Sequence, residues 1–72
     1  GLCFLENDGK LRLIAGFSAV QSLEAADGYV LAKLDNDGES FWLLLDDNGN
    51  IAGAVMNARE VCYASGTIYA EK

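Results

Sequence analysis

The chain reads as a small β-rich α+β domain, a curved antiparallel sheet or barrel of order ββαββββ with one short helix. Three observations point there. Glycine turns flanked by Asn and Asp recur between apolar runs, at Glu6-Asn7-Asp8-Gly9, Asp35-Asn36-Asp37-Gly38 and Asp47-Asn48-Gly49-Asn50. Asp-Gly and Asn-Gly accept the positive φ of tight hairpin turns, so each marks a strand-turn-strand unit. Apolar and polar residues alternate between those turns, and the absence of proline leaves every strand free to pair on both edges.

The elements follow in order. Strands are expected near residues 2–6 and 10–17, with Leu11, Leu13, Ala15 and Phe17 as the core-facing set opposite Lys10, Arg12, Ile14 and Gly16. Residues 18–27 read as the helix. Ser18 can cap it with Gln21 three residues on, Val20 and Leu23 share a face, Ala25 and Ala26 favour helix, and Gly28 stops it. Further strands are expected near 29–35, 39–46, 50–57 and 60–70, with Gly66 marking a bend in the last. Phe41 to Leu45 is apolar on both faces, so something must cover it twice: the helix, another layer of the barrel, or a second copy of the chain. A flatter sheet packed face to face against a partner is the alternative architecture.

Composition bounds the rest. With 72 residues, 51% apolar and 22% charged, the chain is one folding domain. A domain this small buries only about 60% of the surface its unfolded chain exposes, so a lone monomer is marginal and self-association is expected. No run of residues approaches a membrane span, the longest unbroken apolar stretch being Phe41 to Leu45. A soluble protein is therefore expected, and with only two cysteines a cytoplasmic one. The chain opens on Gly1 without methionine, as a processed end or a piece of something longer would.

The inventory for chemistry is short. Histidine is absent, which excludes Ser-His and Cys-His catalysis and imidazole ligation within the chain. A net charge of −6 argues against nucleic-acid or anionic-membrane partners. Cys3 and Cys62 are too sparse for a disulfide scaffold; their apolar flanks suggest buried small hydrophobes, and a bridge between the first and last strands is the alternative. No metal site is expected. A calcium loop needs an acid five residues before its glycine and a Glu six after, where Gly49 has Leu44 and Val55, Gly38 has Lys33 and Leu44, and Gly9 has Phe4 and Ala15. No glycine pattern suits a phosphate, no cofactor is implied, and Arg59 with Glu60 and Lys33 with Asp35 read as solvated charge pairs.

Two readings of function remain. Asp35, Asp37, Glu39, Asp46 and Asp47 could imitate nucleic-acid phosphates for a basic protein, but they split between the two ends of one hairpin. The stronger reading is a non-catalytic interaction module that binds a protein partner or itself, as a homodimer, through apolar strand surface. An accessory module of a larger enzyme or regulator is a variant of it. The candidate interface residues are Trp42 and Leu44, on the second face of the doubly apolar strand. The competing placement puts Trp42 beneath the helix.

Overall fold

Five glycine-bearing turns cut the chain into strands and nothing else. The computed structural model describes all 72 residues, Gly1–Lys72. Its strands are β1 (Leu2–Leu5), β2 (Leu11–Ala15), β3 (Ala19–Ala26), β4 (Tyr29–Asn36), β5 (Glu39–Leu45), β6 (Ile51–Met56), β7 (Glu60–Ala64) and β8 (Thr67–Glu71). Three turns have two residues, both at positive φ: Asp27-Gly28 at 55° and 83°, Asp37-Gly38 at 53° and 82°, and Ser65-Gly66 at 51° and 79°. That pairing matches the right-handed strand twist. The other two are three-residue loops of one design. The Gly9 N–H donates to the Glu6 carbonyl at 3.0 Å and the Glu6 N–H to the Lys10 carbonyl at 2.8 Å. Gly49 and Asp46 repeat this with Asp46 and Asn50, at 3.1 and 2.9 Å.

Strands β3, β4, β5 and β6 form a four-stranded antiparallel meander, and β1–β2 and β7–β8 are separate two-stranded hairpins. Pairing partners settle which side chains share a face. Ala32, Leu34, Leu43 and Leu45 project from one side of the meander and join Leu2, with Ile14 and Ala15 of β2 packed against them. Leu31, Trp42 and Leu44 project from the other and join Ala58 and Val61, with Tyr63 and Ile68 packed alongside. Each outer hairpin thus covers part of one face of the central sheet, which explains the two apolar faces of Phe41 to Leu45.

Three expectations are corrected. There is no helix at residues 18–27: β3 pairs with β4 from Ala19 opposite Asp35 to Ala26 opposite Tyr29, with a bulge between Val20 and Ser22. Asp27-Gly28 is a hairpin turn rather than a helix stop, and pairing with β4 overrides a helical tendency that about two turns cannot sustain alone. The stretch 60–70 is two strands folded at Ser65-Gly66, so the order is eight successive strands rather than ββαββββ. The sheets do not close into a barrel.

The two halves of the chain repeat each other. β3–β4 and β7–β8 share one register shifted by 38 residues, so that Leu23 opposite Ala32 becomes Val61 opposite Ala70. Their sequences correspond around the turn, Ala26-Asp27-Gly28-Tyr29-Val30-Leu31-Ala32 against Ala64-Ser65-Gly66-Thr67-Ile68-Tyr69-Ala70. β1–β2 and β5–β6 share their loop design at a shift of 40, Leu5 opposite Leu11 becoming Leu45 opposite Ile51. One unit is a hairpin with a three-residue loop, a short link, and a hairpin with a two-residue turn. The central meander is the end of the first unit joined to the start of the second, and each outer hairpin is half of such a sheet.

Candidate interaction surface

The β1–β2 hairpin is locked onto the central sheet at one point. Phe4 lies against Gly49, which is buried at φ 74° in the β5–β6 loop, and a Cβ there would collide with the ring. Arg12 lies over the Phe4 ring with its guanidinium carbon 5.1 Å from the centroid, and it donates to the carbonyls of Asn48 and Gly49. Its Nε meets Glu6 Oε1 at 2.6 Å. The loop is itself braced by Asp46, whose carboxylate accepts the N–H groups of Asn48 and Asn50, both at 2.9 Å. Asp46 therefore does turn chemistry.

Docking by Leu2, Phe4, Arg12 and Ile14 turns the other face of the hairpin outward. Cys3 pairs with Leu13 and Leu5 with Leu11, and these four side chains form a wholly apolar exposed face. Leu5 is 63% exposed, Leu11 70% and Leu13 64%. This reverses the expectation that Leu11 and Leu13 face the core. The reason is Arg12, whose guanidinium on the inner side reaches the Asn48 and Gly49 carbonyls and the Glu6 carboxylate. Phe17, in the link to β3, is exposed as well. On the meander, β1–β2 leaves Leu23 and Val30 exposed beside it, in a shallow groove also lined by Leu2, Cys3 and Ile14.

The opposite hairpin is held by different contacts. Trp42 Nε1 donates to the Ala58 carbonyl in the link to β7 at 3.3 Å, while within the central sheet its cross-strand partner Lys33 sets its ammonium 5.1 Å from the Trp42 ring centroid. The Tyr29 and Tyr63 rings pack at 5.0 Å between centroids, and the Asp27 carboxylate accepts the Ser65 N–H at 3.1 Å. Partial burial, helped by Tyr29 and by the Asp27 carboxylate, holds the Tyr63 phenol above its ordinary range.

These contacts place the residues singled out from sequence. Trp42 and Leu44 are each 4% exposed, covered by Ala58 and the β7–β8 hairpin rather than by a helix. A partner would reach them only if that hairpin lifted. Cys3 and Cys62 are free thiols and both exposed, not buried, and they lie on hairpins packed against opposite faces of the central sheet. Arg59 pairs with Glu71 across β7–β8 at 2.9 Å, not with its neighbour Glu60. Asp37 and Asp46 lie at opposite ends of β5. The exposed face of Cys3, Leu5, Leu11 and Leu13 was missed by alternation alone; the 38-residue recurrence of Ala-x-Gly-x-x-x-Ala was the signal that could have found the repeat.

No helix is long and apolar enough to cross a membrane. Comparison with protein-family models, with curated proteins and with solved structures finds no match.

Proposed function

We propose that the chain is a non-catalytic protein-interaction module that works by covering exposed apolar strand surface with a protein partner. The observation that carries this is the outer face of β1–β2, where Cys3, Leu5, Leu11 and Leu13 stand in solvent as two cross-strand pairs. A contiguous apolar face on a small folded domain marks an association site. Two global measures agree. The accessible surface is 4766 Å², against roughly 4,300 Å² for a folded monomer of this mass. The radius of gyration is 12.1 Å, against about 11 Å for a compact chain of this length. Both point to a molecule with more surface than a finished domain carries. The same face would suit an accessory module seated against a neighbouring domain of a larger protein.

The test compares the wild-type chain with Leu11→Glu and Leu13→Glu, whose side chains touch no part of the core. Binding of a protein, whether a second copy or another chain, is expected to be lost in both variants while the far-ultraviolet circular dichroism stays unchanged. Association that persists undiminished in both variants would remove this reading.

A further inference from the structure

From the internal repeat we infer that the partner is a second copy of this chain, joined head to tail, with β8 of one copy pairing antiparallel with β1 of the next. The inference rests on the interaction-module reading and names its occupant. Within the chain, the hairpin β3–β4 is completed by β5–β6 through pairing of β4 with β5, from Val30 opposite Leu45 to Asn36 opposite Glu39. The hairpin β7–β8 repeats β3–β4 in register, and β1–β2 repeats β5–β6 at its loop, yet each is left as a two-stranded half sheet with the outer edges of both strands unpaired, among them β8 and β1, the equivalents of the paired β4 and β5. Unpaired strand edges are templates for addition of another strand. Carrying the β4–β5 register over by the two repeat shifts sets Ile68 opposite Leu5 of the next copy, Tyr69 opposite Phe4, Ala70 opposite Cys3 and Glu71 opposite Leu2.

The same operation accounts by position for the exposed apolar residues of β1. Leu43 and Leu45 are buried, at 7% and 6%, because β1–β2 covers their face of the central sheet. Their equivalents in β1 are Cys3 and Leu5, which are exposed and have no such cover within these 72 residues. In the joined sheet these residues continue the row of Ile68 and Ala70, the side on which β7–β8 already packs against Leu44 and Trp42. The reverse side of β7–β8, with Cys62 and the 57% exposed Tyr69, turns toward Leu23 and Val30 of the next copy. The contact is heterologous, so a chain of copies either closes into a ring or grows. Radially repeated four-stranded sheets close at about four to eight per ring.

The test uses the native Cys3. In a Cys62→Ser background, Ala70→Cys places a thiol opposite Cys3 of the next copy, and Tyr69→Cys places one on the wrong face. Mild oxidation is expected to give a ladder beyond dimer on a non-reducing gel for Ala70→Cys and at most dimer for Tyr69→Cys and for Cys62→Ser alone. If Ala70→Cys fails to fold, the pair Leu5→Cys with Ile68→Cys, with Cys3 and Cys62 both changed to Ser, tests the next rung of the same register. Equal cross-linking at 69 and 70, or none in a chain that still associates, overturns the β8–β1 pairing and leaves the interaction surface standing. A wild-type chain that sediments as a monomer at hundreds of micromolar overturns the second-copy partner. The interaction-module reading is then judged by whether any other protein binds through Leu11 and Leu13.

Discussion

Gly49→Ala, set against Gly38→Ala, isolates the lock that holds the first hairpin on the sheet. Both glycines sit at positive φ, 74° and 82°, so either substitution carries the left-handed strain of an L residue, about 1–2 kcal/mol. Their surroundings differ. A Cβ on Gly38 meets nothing within 4 Å, whereas a Cβ on Gly49 would overlap the Phe4 ring. Phe4 cannot retreat freely, since Arg12 lies over it and holds the Asn48 and Gly49 carbonyls. Overpacking of this kind costs about 1–3 kcal/mol, so Gly49→Ala should cost about 2–5 kcal/mol in all. For a domain of this size each kcal/mol moves the Tm by roughly 4–8 °C. Urea unfolding followed by circular dichroism gives both values, and the double variant Phe4→Ala/Gly49→Ala should recover the excess. Equal losses at Gly38 and Gly49 would refute the lock.

Other perturbations test the core and its opposite side. Leu34 is 0% exposed in the first cluster, so Leu34→Ala should cost about 2–5 kcal/mol in the same urea experiment, a large share of a small domain's stability. Trp42→Phe strands the Ala58 carbonyl and should cost about 1–3 kcal/mol by circular dichroism; an unchanged midpoint would deny the hydrogen bond its role. The raised Tyr63 phenol gives a pH dependence. The folded state holds the proton more tightly than the unfolded chain, so its stabilisation is intact below pH of about 10 and is lost as pH rises through the raised value. Tyr63→Phe should flatten that alkaline decline in Tm, and an identical decline would reject the assignment.

Turn chemistry was the legible part of the sequence. The Asp-Gly and Asn-Gly turns at Gly9, Gly38 and Gly49 stand where the residues pointed, and the strands at 29–35, 39–46 and 50–57 match β4, β5 and β6 closely. What failed were places where local preference and long-range pairing disagree. Ala19–Ala26 has the composition of a short helix and only Val20 and Leu23 as large apolar side chains because it is an edge strand, exposed along most of its length; β4 supplies the hydrogen bonds. Ser65-Gly66 lacks the Asp or Asn that marked the other turns, so its hairpin read as one bent strand. Trp42 stands on the second face of a strand apolar on both sides, and its cover is the chain's own C-terminal hairpin, joined through Ala58, rather than a helix.

The exposed leucines follow from the same logic and not from imperfect folding. Alternation in a strand records that one face is apolar; it does not record whether the cover is in the same chain. For Leu43 and Leu45 the cover is β1–β2, and for Leu31 and Leu44 it is β7–β8. Leu5 obeys the same sequence rule at the position equivalent to Leu45, and with Cys3, Leu11 and Leu13 it stands uncovered within these 72 residues. These two units hold one four-stranded sheet and two two-stranded halves, and the uncovered apolar surface lies on the first of those halves. Polar substitution of that face should therefore cost the single chain little and its association much, which separates the residues that fold this molecule from those that join it to another.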